Sequence, residues 1–176
     1  ASRGFFNGTS MFVQVHGQEN RAHCVEIVRS EPIAHWSVAT GASPQKIDKQ
    51  GFGTYQAENY DTLVDCPVEM GTFWSGSFVA CGVPHRFVVA GATAAFDGAK
   101  LLADTKAISE DEIRFWHGKS KPPHKNYLFM LNAVGDAYGG LEHRNSTALI
   151  CNRKDLPRLT AATVTPSSAK PAEGYT

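Results

Sequence analysis

Residues 139–146 read Gly-Gly-Leu-Glu-His-Arg-Asn-Ser, and they hold the one arrangement in this chain that could handle a peptide. Gly139 and Gly140 carry no side chains, so another backbone could approach closely. An extended edge of this kind can pair with a bound peptide through main-chain hydrogen bonds. A carboxylate at its end, Glu142, could take a free α-amino group in a charge-assisted contact and so measure from the peptide's N-terminus. The plainer reading of the same residues is a β-bulge or tight turn, with Glu142 in a surface ion pair. Asn145 and Ser146 are expected to fix the turn rather than touch a ligand.

The other chemistry-bearing residues do not assemble into a motif. His16, His23, His35, His85, His117, His124 and His143 include no H-E-x-x-H and no pair spaced i, i+4. Only His143 follows an acid directly. Cys24, Cys66, Cys81 and Cys151 have no C-x-x-C spacing, which speaks against structural zinc. Cys66 and Cys81 flank a hairpin and could meet; four buried free thiols is the alternative. There is no G-x-S-x-G elbow and no phosphate-cradling glycine loop. Residue chemistry alone supplies no catalytic residue and no metal ligand set.

The elements that must position Glu142 follow from pattern. The first sixty residues read as β structure, with strands expected at 11–16, 23–28, 35–40 and 52–57 and a turn-rich connector at 41–51. Residues 67–73 and 77–91 read as two or three further strands, punctuated by Gly82-Val83-Pro84. A helix is predicted over about 95–117, with Leu101, Leu102, Ile108, Ile113 and Trp116 on its apolar face and Gly118 as its stop. Residues 126–134 form an apolar run consistent with a strand buried on both faces. GGLEH and residues 146–152 complete the strands, and 160–176 read as loop or disordered. The fold class is α+β: the end of an antiparallel β domain, residues 1–60, followed by a mixed sheet and one long helix, residues 61–176.

Composition narrows the function further. Seventeen basic and seventeen acidic residues give zero formal charge, and without a basic stripe nucleic acid is not an expected partner. No apolar stretch is long enough to span a bilayer, and nothing decides between cytoplasm and periplasm.

The run YLFMLNAVGDAYGGLEHRNSTALICNRKDLP, together with GFFNGTSMF, GFGTYQAENYDTLVDCPVEMGTF and GVPHRFVVAG, resembles the glycyl-aminopeptidase-like family of zinc metallopeptidases. The resemblance covers nearly the whole chain in order. It implies an N-terminal β domain, a thermolysin-like (gluzincin) catalytic domain and usually a PDZ domain. This chain would be the end of the first and the front of the second. Glu173-Gly174-Tyr175 would lead toward the H-E-x-x-H helix, whose zinc, histidines and general-base glutamate lie beyond this sequence. The resemblance therefore implies a zinc cofactor in the full-length protein, none here, and an inactive isolated chain.

By the same resemblance GGLEH matches the G-A-M-E-N segment of related aminopeptidases. Gly139, Gly140 and Leu141 would hold the substrate backbone and Glu142 its amino group, with His143 replacing the asparagine. Glu69 also matches the family pattern. It carries no evident chemistry, and is expected either as a buried partner of Arg144 or as a strand-edge acid. The implied substrate is a peptide with a small N-terminal residue such as glycine or alanine. Implied partners are the remainder of the catalytic domain and, through an exposed apolar face, a second copy. Two other readings are a non-enzymatic module that captures extended peptides and a carbohydrate-binding sandwich using Trp36, Trp74 and Trp116.

Overall fold

The computed structural model describes residues 2–160, and the expectations for the tail and for Glu173-Gly174-Tyr175 lie outside them. Three sheets organise the chain. The first has the order β1 (Arg3–Phe6), β6 (Val68–Gly71), β3 (Ser37–Thr40), antiparallel throughout. The second has the order β2 (His23–Ile27), β5 (Gly53–Ala57), β4 (Ser43–Ile47), also antiparallel. The third has five strands in the order β10 (Gly139–Glu142), β11 (Ser146–Asn152), β9 (Tyr127–Val134), β8 (Val83–Ala90), β7 (Phe73–Ala80). It is mixed: β8–β9 and β9–β11 are parallel, while β7–β8 and β10–β11 are antiparallel. This is the α+β architecture expected from the sequence.

Local chemistry accounts for the elements. Cys81 and Gly82 both take positive φ, 48° and 77°, and form the two-residue turn that favours a twisted hairpin between β7 and β8. The connection from β8 to its parallel neighbour β9 must cross over, and helix α3 (Gly98–His117) makes that crossing. Asp97 caps it by accepting from Lys100 N–H at 2.9 Å, and Gly118 ends it with φ 59° and its N–H on the Arg114 carbonyl. The helix lies close to β7 because Gly98 has no side chain: a Cβ there would stand 2.2 Å from the Trp74 ring.

One core cluster fills the helix side of the sheet, with Phe87, Val89, Leu131, Ala133 and Leu156 buried and Leu101 and Leu102 against them. On the opposite side Val88, Leu128 and Met130 pack with Ala39 of β3, which joins the sheets into one body. The strand β9 is thus covered on both sides, as its continuous apolar run requires.

Four expectations need correction. Residues 11–16 are not a strand: the chain makes one helical turn, α1 (Gly8–Met11), then runs irregularly. Met11, Val13 and Val15 alternate in sequence but are exposed, and the described residues offer no neighbouring strand to receive them. The connector 41–51 contains β4, whose five residues are all exposed and hence show no alternation. On α3, Ile113 is buried but Ile108 and Trp116 are exposed. Ile108 lies roughly 140° around the axis from Ile113, and Trp116 sits in the last turn. Finally the four cysteines are free, as one alternative held, but only Cys66 is buried; Cys24 is exposed.

Candidate functional site

The Gly-Gly-Leu-Glu segment is β10, an end strand of the five-stranded sheet, and pairs only with β11 in the sheet order. Its register sets Gly139 opposite Ile150, Gly140 opposite Leu149, Leu141 opposite Ala148 and Glu142 opposite Thr147. His143 N–H donates to the Ser146 carbonyl at 2.8 Å, and the Thr147 hydroxyl reaches the Leu141 carbonyl at 3.4 Å. These contacts fix the phase of the ladder. The main-chain groups of Leu141 and His143 face β11, and antiparallel alternation turns those of Gly140 and Glu142 to the outer edge. The segment is therefore a regular strand, not a bulge.

Among the described residues no strand pairs with the outer edge. A Cβ on Gly139 would meet nothing within 4 Å, and all four residues of β10 are exposed. Across a groove of about 270 Å³, Arg3, Phe5 and Asn7 face Gly139, Gly140 and Leu141. The Glu142 carboxylate makes no hydrogen bond or ion pair among the described residues, so the surface ion pair of the plainer reading is absent. Its charge is felt nearby: burial first, and Glu142 second, push the Tyr127 phenol above its ordinary range. An unpaired carboxylate at the end of an open strand edge can receive an ammonium group.

The residues after Glu142 are held by partners far away in sequence. Asp65, which ends α2 (Tyr60–Val64), faces His143 Nδ1 with Oδ1 at 3.1 Å and accepts from Arg144 N–H with Oδ2 at 3.0 Å. The Arg144 guanidinium reaches the Thr62 hydroxyl at 3.4 Å, and Asn145 donates through Nδ2 to the Gly41 carbonyl at 2.8 Å. A Cβ on Gly41 would stand 2.6 Å from Asn145 Oδ1, so a larger residue there would displace the Asn145 side chain. Asn145 thus ties the turn to Gly41. Asp65, Thr62 and Gly41 escaped the sequence reading, since no local pattern links them to residues 78 to 104 positions away.

Glu69 is not at this site's edge and not with Arg144. It sits on the central strand of the first sheet, 1% exposed, and takes both hydrogen bonds of the Arg3 guanidinium. Burial raises its pKa, and the Arg3 hydrogen bonds act against that rise. The groove places Arg3, but not Glu69, against the Gly-Gly segment.

Among the described residues no three His, Cys, Asp or Glu side chains converge to hold a metal. The donor sets of the described residues do not fit a catalytic zinc.

Residues 1–72 match the family model of the Peptidase M61 N-terminal domain. An aminopeptidase N family protein from Idiomarina loihiensis is similar in structure, with a TM-score of 0.83 and 36% sequence identity. The match covers 89% of this chain and 26% of that one, so the chain spans about a quarter of that protein's length. An M1 zinc metallopeptidase from Deinococcus radiodurans is a looser likeness, with TM-score 0.43 and 16% identity over 73% of this chain and 29% of that one. No protein with a curated description matches. The resemblance read from the sequence is matched in kind: residues 1–72 are similar to a Peptidase M61 N-terminal domain, and the fold is similar to that of a segment of an aminopeptidase N family protein.

Proposed function

We propose that this chain is part of a zinc-dependent aminopeptidase, and that β10 is the edge on which the substrate's N-terminal residues lie. Residues 1–60 would end its N-terminal β domain and residues 61–176 would begin its catalytic domain, with β6 tying the second portion back to the first. The observation that carries the reading is the open edge ending in the unpaired Glu142 carboxylate. An extended peptide running antiparallel to β10 begins where β10 ends, which sets its ammonium group at Glu142. A parallel peptide would bring its carboxylate there and be repelled. Gly139 and Gly140 leave room for the peptide backbone, and Leu141 stays at the strand's exposed surface. His143 and Arg144 act on the strand rather than on the substrate, and Glu69 serves the first sheet.

Zinc would be bound by parts of the catalytic domain other than the described residues, so this chain alone would neither hold it nor hydrolyse peptides. The exposed Ile108, Phe115 and Trp116 of α3 offer an apolar surface to that remainder, or to a second copy. A preference for small N-terminal residues belongs to this reading as well.

The test is made in the full-length protein with alanine p-nitroanilide as substrate. Glu142→Gln is expected to raise KM by about tenfold to a hundredfold, the loss of one charge-assisted hydrogen bond. An unchanged KM would remove the amino-group role. A full-length protein that binds peptides at this edge yet hydrolyses none would instead establish the non-enzymatic module.

A further inference from the structure

Among the described residues the Glu142 carboxylate has no side-chain partner of its own, so its place in space depends on the backbone that carries it. On one side that backbone is laddered to β11. On the other it runs directly into His143 and Arg144, which Asp65 grips with both carboxylate oxygens, at 3.1 Å and 3.0 Å. The grip is shielded: the His143 side chain is 9% exposed and that of Asp65 27%. Facing a carboxylate, His143 Nδ1 carries its proton, which fixes the ring orientation. Asp65 caps the C-terminus of α2, outside the sheet that contains β10, so the grip ties the end of the edge to a different part of the fold.

We propose that Asp65 is a positioning residue for Glu142, setting the height of its carboxylate at the end of the edge through His143 and the Arg144 N–H. The inference rests on the reading of Glu142 as the amino-group contact. A grip on two successive residues fixes both position and twist of the chain, and a displacement of about 1 Å in a binding carboxylate is costly to recognition. Asp65 touches no substrate and acts only through β10.

The experiment is a double-mutant cycle in the full-length protein, with alanine p-nitroanilide as the probe and circular dichroism to confirm the folded fraction. Asp65→Ala is expected to raise KM about tenfold while kcat changes less than about twofold. Asp65→Asn, whose carbonyl oxygen still accepts one bond, is expected to raise KM less. On a Glu142→Gln background the effect of Asp65→Ala is expected to vanish, because the group it positions is gone. If Asp65→Ala leaves KM unchanged, or keeps its full effect on that background, the positioning role is overturned while the amino-group reading stands. If Glu142→Gln alone leaves KM unchanged, or the wild-type protein hydrolyses nothing, the reading falls and the positioning role with it.

Discussion

Arg3 and Glu69, 66 residues apart, meet through two parallel hydrogen bonds: Nε–H to Oε1 at 2.8 Å and Nη2–H to Oε2 at 2.7 Å. The acid is buried on β6 and the base comes from β1, so the pair fastens the first strand to the middle of its sheet. Removing one partner of such a pair leaves a charge without compensation. Arg3→Ala is expected to cost about 3 kcal/mol of unfolding free energy, the low end for a buried pair because the Arg3 side chain is 30% exposed. Arg3→Lys should recover only part, since an ammonium cannot make two parallel bonds. Urea unfolding of the three proteins measures this; a loss below about 0.5 kcal/mol for Arg3→Ala would mean that other contacts hold β1.

The contact between α3 and β7 depends on a missing side chain. A methyl on Gly98 would stand 2.2 Å from the Trp74 ring, which is itself braced edge-on by Phe96 at 5.1 Å. Gly98→Ala should therefore destabilise by about 1–3 kcal/mol, against the usual gain from alanine in a helix. Trp74→Phe in the Gly98→Ala background is expected to relieve part of that loss. Thermal unfolding of the single and double variants decides it.

His85 sets an acid limit on stability. The residue is 3% exposed, its ring stacked on Phe78 at 5.0 Å and packed against Phe129 at 6.2 Å. Burial holds its pKa below the ordinary 6.5, against the opposing hydrogen bond to the Val83 carbonyl. His124, edge-on at 6.1 Å, is lowered by burial and then by His85 and His117. A histidine with a lowered folded pKa binds fewer protons in the native state than in the unfolded chain. Its stabilising contribution is complete above about pH 6.5 and is lost as the pH falls toward the folded value. Unfolding free energy should decline from about pH 6.5 downward, and His85→Phe should flatten that decline. Melting curves between pH 5 and 8 test the slope; an unchanged slope in the variant would assign it to other groups.

The four thiols should react in an order set by exposure. Cys24 is exposed, whereas the Cys66 thiol is pushed up to about 11 by burial and then by the neighbouring Asp65 carboxylate. At pH 8 a disulfide-exchange reagent should label Cys24 promptly and Cys66 only after unfolding. Labelling of all four cysteines in denaturant without reductant would agree with four free thiols. Fewer than four would reveal a disulfide.

Much of the fold was legible because local signals and tertiary context agree. Gly118 and the spacing of Leu101, Leu102 and Ile113 mark α3, though its Asp97 cap went unread and the expected start at 95 fell early, and the apolar run at Tyr127–Val134 announces a buried strand. Alternation misled at Met11, Val13 and Val15, where a β pattern has no strand beside it. It was silent at β4, where Ser43–Ile47 has no buried face to write one. At the candidate site Gly139 to Glu142 stood out by composition. Asp65 did not, because an aspartate ending a one-turn helix looks the same whether or not a histidine 78 residues later will meet it.

The place of β6 governs the order in which the molecule can be assembled. Both its neighbours among the described strands, β1 and β3, precede it in the chain, so neither can make its β6 pairing when it leaves the ribosome. Residues 68–71 must emerge before either can pair, and the buried Glu69 arrives with them to meet an Arg3 made 66 residues earlier. Such long-range closure is slow by nature. During synthesis β1 and β3 therefore wait for β6, a strand that then leads within two residues into β7 and starts the sheet carrying Glu142.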